Sequence, residues 1–144
     1  MWKLDSSLGF LMTRTARSMK RALDARLLDQ NLTATQYIVL ARLWEEDGIS
    51  LSELGERLYF DNPTLTGIVD RMERDGLLQR QRDEDDRRVV KVHLTAKGRT
   101  LYHDIGYLAE ETDAESWEGF TESQKKELLN YLERIWKKLY GRLD

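Results

Sequence analysis

Along most of this chain apolar residues recur at spacings of three and four, and in one short stretch they alternate instead. The first pattern is that of helices with one buried face, the second that of a half-buried strand. Leu8, Met12, Thr15, Met19, Ala22, Leu23 and Leu27 form one stripe and predict a first helix from about Asp5 to Gln30. Leu51, Leu54 and Leu58 predict a short helix opened by Ser50, with Glu53 placed to complete a capping box. Asp61-Asn62-Pro63 opens the next, since a side-chain cap is followed by the residue whose missing amide costs nothing at a helix start. In this helix, Pro63 to about Arg74, Leu65, Ile68, Val69 and Met72 share one face, while Thr64, Thr66, Gly67, Asp70, Arg71 and Arg74 point outward. Gly76 ends it, Leu77 to Arg82 reads as a strand, and Val90, Val92 and Leu94 alternate with Lys91 and His93 in a returning one.

Two short helices followed by a hairpin make the plan of a winged helix. The expected fold is therefore mainly α with a small β-hairpin wing, a winged helix-turn-helix over residues 31–100 within one compact chain. A further helix, Leu101 to about Thr112, follows a Thr95 cap. Beyond it, Thr121 and Gln124 form a second capping box, and Leu128, Leu129, Leu132, Ile135, Trp136, Leu139 and Leu143 extend an apolar face for about six turns. So small a winged helix cannot cover the terminal stripes. Either a second copy covers them or they pack within one chain.

The outward face of Pro63 to Arg74 is polar and its first turn is small, which suits a helix entering the major groove of DNA. A solvated helix on any small domain fits equally well. The loop between the strands, Asp83-Glu84-Asp85-Asp86-Arg87-Arg88, offers a second clue. Asp86 stands two residues before Arg88 and can hold its guanidinium extended, and an arginine at a ribbon tip fits a narrow minor groove. The competing reading is a solubilising tip whose charges cancel.

Net charge is −3 over 144 residues, but the sign is unevenly spread. Asp104 to Glu122 contains seven acids and no lysine or arginine, whereas Arg71, Arg74, Arg80, Arg82, Arg87, Arg88, Lys91, Lys97 and Arg99 cluster around the hairpin. That cluster is where release of counterions from DNA would be needed. A 40% hydrophobic content suffices for one core, no apolar run reaches a membrane span, and the start has no signal-peptide apolar region. A cytoplasmic protein without a membrane partner is expected. The sequence has no cysteine, which excludes disulfides and a thiol-based peroxide sensor. His93 and His103 lack metal-ligand spacing, so an acidic helix surface is preferred over a cation site near Asp104. Without a phosphate loop or nucleophile elbow, neither an enzyme nor a cofactor is expected.

Leu54 to Leu58, Asn62 to Arg80, Asp83 to Arg88 and Leu94-Thr95-Ala96-Lys97-Gly98, in this order and spacing, resemble the core signature of the MarR family of transcriptional regulators. Leu32-Thr33 to Leu43 is similar to the helix before that core, and Phe120-Thr121 to Leu132 to the start of the family's last helix. The resemblance implies a homodimer, with residues 1–30 and 101–144 as dimerisation helices. The two DNA-binding units would then face an inverted-repeat operator about one turn apart, roughly 34–36 Å. It points to Asn62, Pro63, Thr64, Thr66, Gly67, Arg71, Arg74, Arg87 and Arg88 as DNA-binding residues, with Asp86 supporting the wing. Family members often carry a long basic side chain where this chain has Gly67, so base readout would pass to Pro63, Thr64, Thr66 and Arg71. Similarity to the SlyA-like branch in Leu8-Gly9, Arg14, Arg17 and Leu32 to Tyr37 would place Arg17 and Tyr37 at a crevice for a small phenolic or aromatic carboxylate effector. A guanidinium for the carboxylate and a ring for the aromatic face make chemical sense. A tie between the first two helices explains the pair as well, and Ala41 adds no polar group there. The reading that follows is a ligand-released repressor; the alternative is a winged-helix interaction module that never touches DNA.

Overall fold

The computed structural model describes residues 1–140, so the expected role of Leu143 lies outside the described residues. The elements run α1 (Leu8–Leu27), α2 (Ala34–Glu45), β1 (Ile49–Ser50), α3 (Leu51–Leu58), α4 (Asn62–Arg74), β2 (Leu78–Arg82), β3 (Val90–Leu94), α5 (Ala96–Ile105), α6 (Leu108–Ser116) and α7 (Glu122–Tyr140). The fold is mainly helical with a small antiparallel wing. Among the described residues no helix is long and apolar enough to cross a membrane. The chain divides into two compact units, Met1–Ala109 and the residues from Glu110 onward.

In the first unit a single core gathers Leu27, Tyr37, Leu40 and Leu43 from α1 and α2, Leu54 from α3, Leu65, Val69 and Met72 from α4, and Leu78, Val92 and Leu94 from the strands. The sheet has the order β1-β3-β2, all antiparallel. Three strands thus replace the expected pair. β1 is two residues long, Ile49 opposite Val92 and Ser50 opposite Lys91, too short to show any alternation. β2 and β3 pair from Leu78 with Leu94 out to Arg82 with Val90, which leaves 83–89 as the wing tip.

Local chemistry accounts for the element ends. Thr33 and Gln36 form a reciprocal capping box on α2, and Ser50 accepts from the Glu53 amide at 3.0 Å. Glu53 was expected to reach back to Ser50, but its carboxylate accepts from Arg57 at 2.6 Å instead. Asp61 caps α4 through the Thr64 amide at 2.7 Å, with Pro63 in the first turn. At the other end of α4, Gly76 has φ +77°, its amide donates to Glu73 and the Leu77 amide to Met72. This pair of bonds satisfies carbonyls that a helix end leaves free.

Two helices differ from expectation. α1 is bracketed by single 3-10 turns, Leu4–Ser6 and Leu28–Gln30, rather than running unbroken from Asp5 to Gln30. The expected helix Leu101 to Thr112 is instead α5, capped by Thr95 through the Gly98 amide at 3.1 Å, and a separate α6. Tyr37 sits at that break: its hydroxyl donates to the Gly106 carbonyl at 2.9 Å and accepts from the Ala109 amide at 3.3 Å. The start of α5 is held by the Thr95 hydroxyl and Lys97 ammonium, which donate to the carbonyls of Gly76 and Asp75. Gly98 allows this approach, because a Cβ there would collide with the Leu77 carbonyl oxygen.

In the second unit Thr121 and Gln124 close the expected capping box at 2.9 and 3.1 Å. α7 then runs 19 residues without burying any of them. Leu128, Leu129, Leu132, Trp136 and Leu139 are all exposed.

Candidate nucleic-acid interface

α4 is the element on which the candidate surface is built. Its apolar face fills the core through Leu65, Ile68, Val69 and Met72, which fixes the opposite face outward. Asn62, Pro63 and Thr64 are exposed in the first turn, Thr66 and Gly67 are half-buried just beyond, and Arg71 and Arg74 are exposed one and two turns on. Arg71 folds back, its Nε donating to the Gly67 carbonyl at 3.3 Å. The space beside Gly67 is thereby partly occupied by this guanidinium, 3.9 Å from where a Cβ would stand.

In the wing tip Asp83 and Asp86 are bonded to groups within the wing itself. Asp83 Oδ1 accepts from the amides of Asp85 and Asp86 at 2.8 and 3.2 Å, and its Oδ2 pairs with Lys91 at 3.3 Å. These bonds hold the Asp83 carboxyl below its usual range, amides first and lysine after. Asp86 Oδ1 accepts from Arg88 Nε at 3.1 Å and Oδ2 from Nη2 at 3.2 Å, a two-point bond that lowers the Asp86 carboxyl likewise. Arg88 remains 91% exposed with its direction set by that fork. Arg87 is exposed, and its carbonyl accepts from Arg82 Nη1 at 2.8 Å.

Helix and wing share a cleft of about 360 Å³, lined by Ser50, Leu51 and Ser52 from the start of α3, Asn62 from α4, and Arg88, Val89 and Val90 from the wing. The fold thus joins Asn62 and Arg88, 26 positions apart, along one concave surface. The hydroxyl-bearing start of α3 was missed from sequence; its only signal was the cap at Ser50.

Arg80 was also missed as anything beyond part of a basic cluster. Its guanidinium lies 2.6 Å from Asp70 and 2.7 Å from Glu73, both on α4. The Glu73 carboxyl is held low by the Arg80 amide first and the guanidinium second.

Arg17 and Tyr37 have different surroundings. Arg17 is exposed on α1, whereas Tyr37 is 2% exposed, with its hydroxyl engaged at the α5–α6 break rather than with α1. Burial raises the Tyr37 phenol above its ordinary value. Among the described residues no group of three or more His, Cys, Asp or Glu side chains is disposed to hold a metal.

A capped helix displayed beside a two-stranded wing, on a shared core, defines a winged helix-turn-helix. Residues 32–90 match the model of the MarR family. The chain is 37% identical over 139 residues to the HTH-type transcriptional regulator TtmR of Methylorubrum extorquens, covering 96% of this chain and 70% of that protein. Among solved structures, a MarR transcriptional regulator from Methanosarcina mazei Go1 superposes with a TM-score of 0.81 at 29% identity, covering 91% of this chain and 94% of that one. BpsR of Bordetella bronchiseptica, whose DNA binding is regulated by 6-hydroxynicotinic acid, superposes with a TM-score of 0.86 at 25% identity, covering 94% and 96%. The chain belongs to the MarR family. Its relatives are transcriptional regulators, not enzymes, and transcription regulation through DNA binding is the function they share with it.

Proposed function

We propose that this protein is a dimeric repressor that binds an inverted-repeat operator, with α4 in the major groove and Arg88 in the adjoining minor groove of each half-site. The observation that carries this reading is the pairing of an outward α4 face, small at its entering end, with an arginine held extended by Asp86. Small residues at Pro63, Thr64, Thr66 and Gly67 let the backbone approach the base edges. Thr methyl groups and DNA shape then carry more of the readout than long basic side chains. Arg71 shares the base readout, while Arg74 and Arg87 supply phosphate contacts that set register without reading sequence.

Dimerisation follows from α1 and α7. Leu8 is 57% exposed, Leu129 56% and Leu139 59%, and α7 buries nothing within one copy. An exposed apolar stripe of this kind on each helix supports an interface. A second copy supplies matching helices by two-fold symmetry and places two α4 helices on neighbouring grooves.

The proposed effector is a small aromatic carboxylate or phenol, the class to which BpsR's ligand belongs. Arg17 would take the carboxylate. Tyr37 would report the ligand through the α5–α6 break that its hydroxyl holds. Such a ligand acts only if it prefers one spacing of the two reading helices.

Selection of genomic fragments by the purified protein tests the whole reading. Enrichment of one inverted repeat, with half-sites a turn apart and binding that falls steeply with salt, is expected. Thr66→Ala is expected to relax preference at one base pair of each half-site. Salt-insensitive binding, or retention of a protein partner with no DNA enriched, would favour the interaction-module reading instead.

A further inference from the structure

The reading helix carries its own obstacle. Asp70 lies four residues after Thr66 and four before Arg74, on the face assigned to DNA, and Glu73 follows one turn after Asp70. From Asn62 to Arg74 two acids balance two arginines, so the helix brings no net charge to a polyanion. A carboxylate facing phosphates is repelled by them and favours no counterion release.

Arg80 answers both acids at once. Its Nη2 lies 2.6 Å from Asp70 Oδ1 and 2.7 Å from Glu73 Oε2, and its Nε donates to the same Glu73 oxygen at 3.1 Å. Its backbone amide donates to Glu73 Oε1 at 2.9 Å, so both oxygens of Glu73 are engaged from one residue. Arg80 can do this because β2 alternates: it projects on the same side as buried Leu78, toward the face on which α4 packs. The guanidinium fork spans two carboxylates in a way that a single ammonium does not. With its side chain only 28% exposed, Arg80 is itself withdrawn from solvent.

We propose that Arg80 is a positioning residue for DNA binding, which shields Asp70 and Glu73 from the phosphates and holds both carboxylates against the root of the wing. This rests on the reading of α4 as the DNA-facing helix. Two unshielded carboxylates, each about 6 Å from a phosphate in water-like surroundings, weaken binding by about tenfold per copy. Repulsion of this kind is screened by salt, unlike the loss of a packing contact.

The test uses the full chain and a fluorescent duplex carrying the motif that the wild-type protein enriches from a random library. Arg80→Met is expected to bind about tenfold more weakly at low salt, with the deficit shrinking as salt is raised. Adding Asp70→Asn and Glu73→Gln is expected to restore affinity to within about threefold of wild type, a coupling that only a shared interaction produces. Wild-type affinity for Arg80→Met, a deficit independent of salt, or failure of the added substitutions to restore binding would each overturn the proposal. Should Arg80→Met fail to fold on thermal melting, the comparison passes to Asp70→Asn/Glu73→Gln with and without Arg80→Met. Those two are expected to bind within about threefold of each other, and a tenfold gap would refute shielding. A wild-type chain that enriches no motif removes the DNA-binding reading and this proposal together, whereas an enriched motif with no coupling removes this proposal alone.

Discussion

α4 and α7 are both amphipathic helices, yet α4 buries four apolar residues in 13 and α7 buries none in 19. The difference lies in what each chain segment can reach. α4 is flanked by a cap, a proline and a glycine turn that return the chain to its own sheet, so Leu65, Val69 and Met72 meet Leu54, Leu78 and the rest of one core. α7 follows an acidic stretch and carries as strong an apolar stripe, whose Leu128, Leu129, Leu132, Trp136 and Leu139 stay exposed. A helix's sequence pattern therefore declares that a face will be buried without declaring by what. In this protein the covered helix is the proposed reader and the uncovered one the proposed means of pairing two readers.

Four perturbations separate the two regions. The largest expected effect comes from Leu132→Glu with Trp136→Glu on α7. Sedimentation is expected to show a monomer that still melts cooperatively, and operator affinity falls by roughly 10² to 10⁴-fold because two linked sites become independent. A dimer of unchanged mass would break the comparison. Next, Leu54→Ala removes a fully buried side chain from the core shared with α4 and is expected to cost about 2–5 kcal/mol in denaturant unfolding. The same substitution at exposed Leu129 is expected to leave the unfolding of an isolated monomer within about 0.5 kcal/mol of its parent. Third, Arg88→Ala is expected to weaken operator binding by about 1–3 kcal/mol at fixed salt while leaving the melting temperature unchanged, since its exposed side chain bonds to Asp86 two residues away.

The smallest effect concerns acid. Asp24 accepts from the Ala34 amide at 2.6 Å and Glu73 from Arg80, and both carboxyls are held below their ordinary values. A carboxyl depressed in the folded state contributes stability that is present above its unfolded value and lost as pH falls through its folded value. The first unit is expected to lose stability from about pH 4.5 downward, the ordinary value of a glutamate. Glu73→Gln is expected to flatten that decline in unfolding measurements, and an identical acid limb would remove Glu73 as a contributor.

Much of α4 was legible because its signals are local. Asp61, Pro63, the spacing of Leu65, Ile68, Val69 and Met72, and Gly76 each act within a turn of the backbone they shape, and the observed helix follows them to within one residue. The Asp86–Arg88 contact was legible for the same reason, being two residues long. Arg80 was not, since its meaning depends on strand register and on which sheet face α4 covers. The partners of the Tyr37 hydroxyl were not legible either, since they lie 69 and 72 positions away in sequence.

By itself the sequence determined where helices begin and end and which faces are apolar, because capping, proline and glycine geometry and periodicity are properties of neighbouring residues. Only the tertiary structure decided that two residues at Ile49 complete a third strand, that the helix after Thr95 breaks beyond Ile105, and that one strand arginine answers two acids on α4. Each of these is a meeting of distant segments, and its stabilisation exists only once the core has brought them within bonding distance.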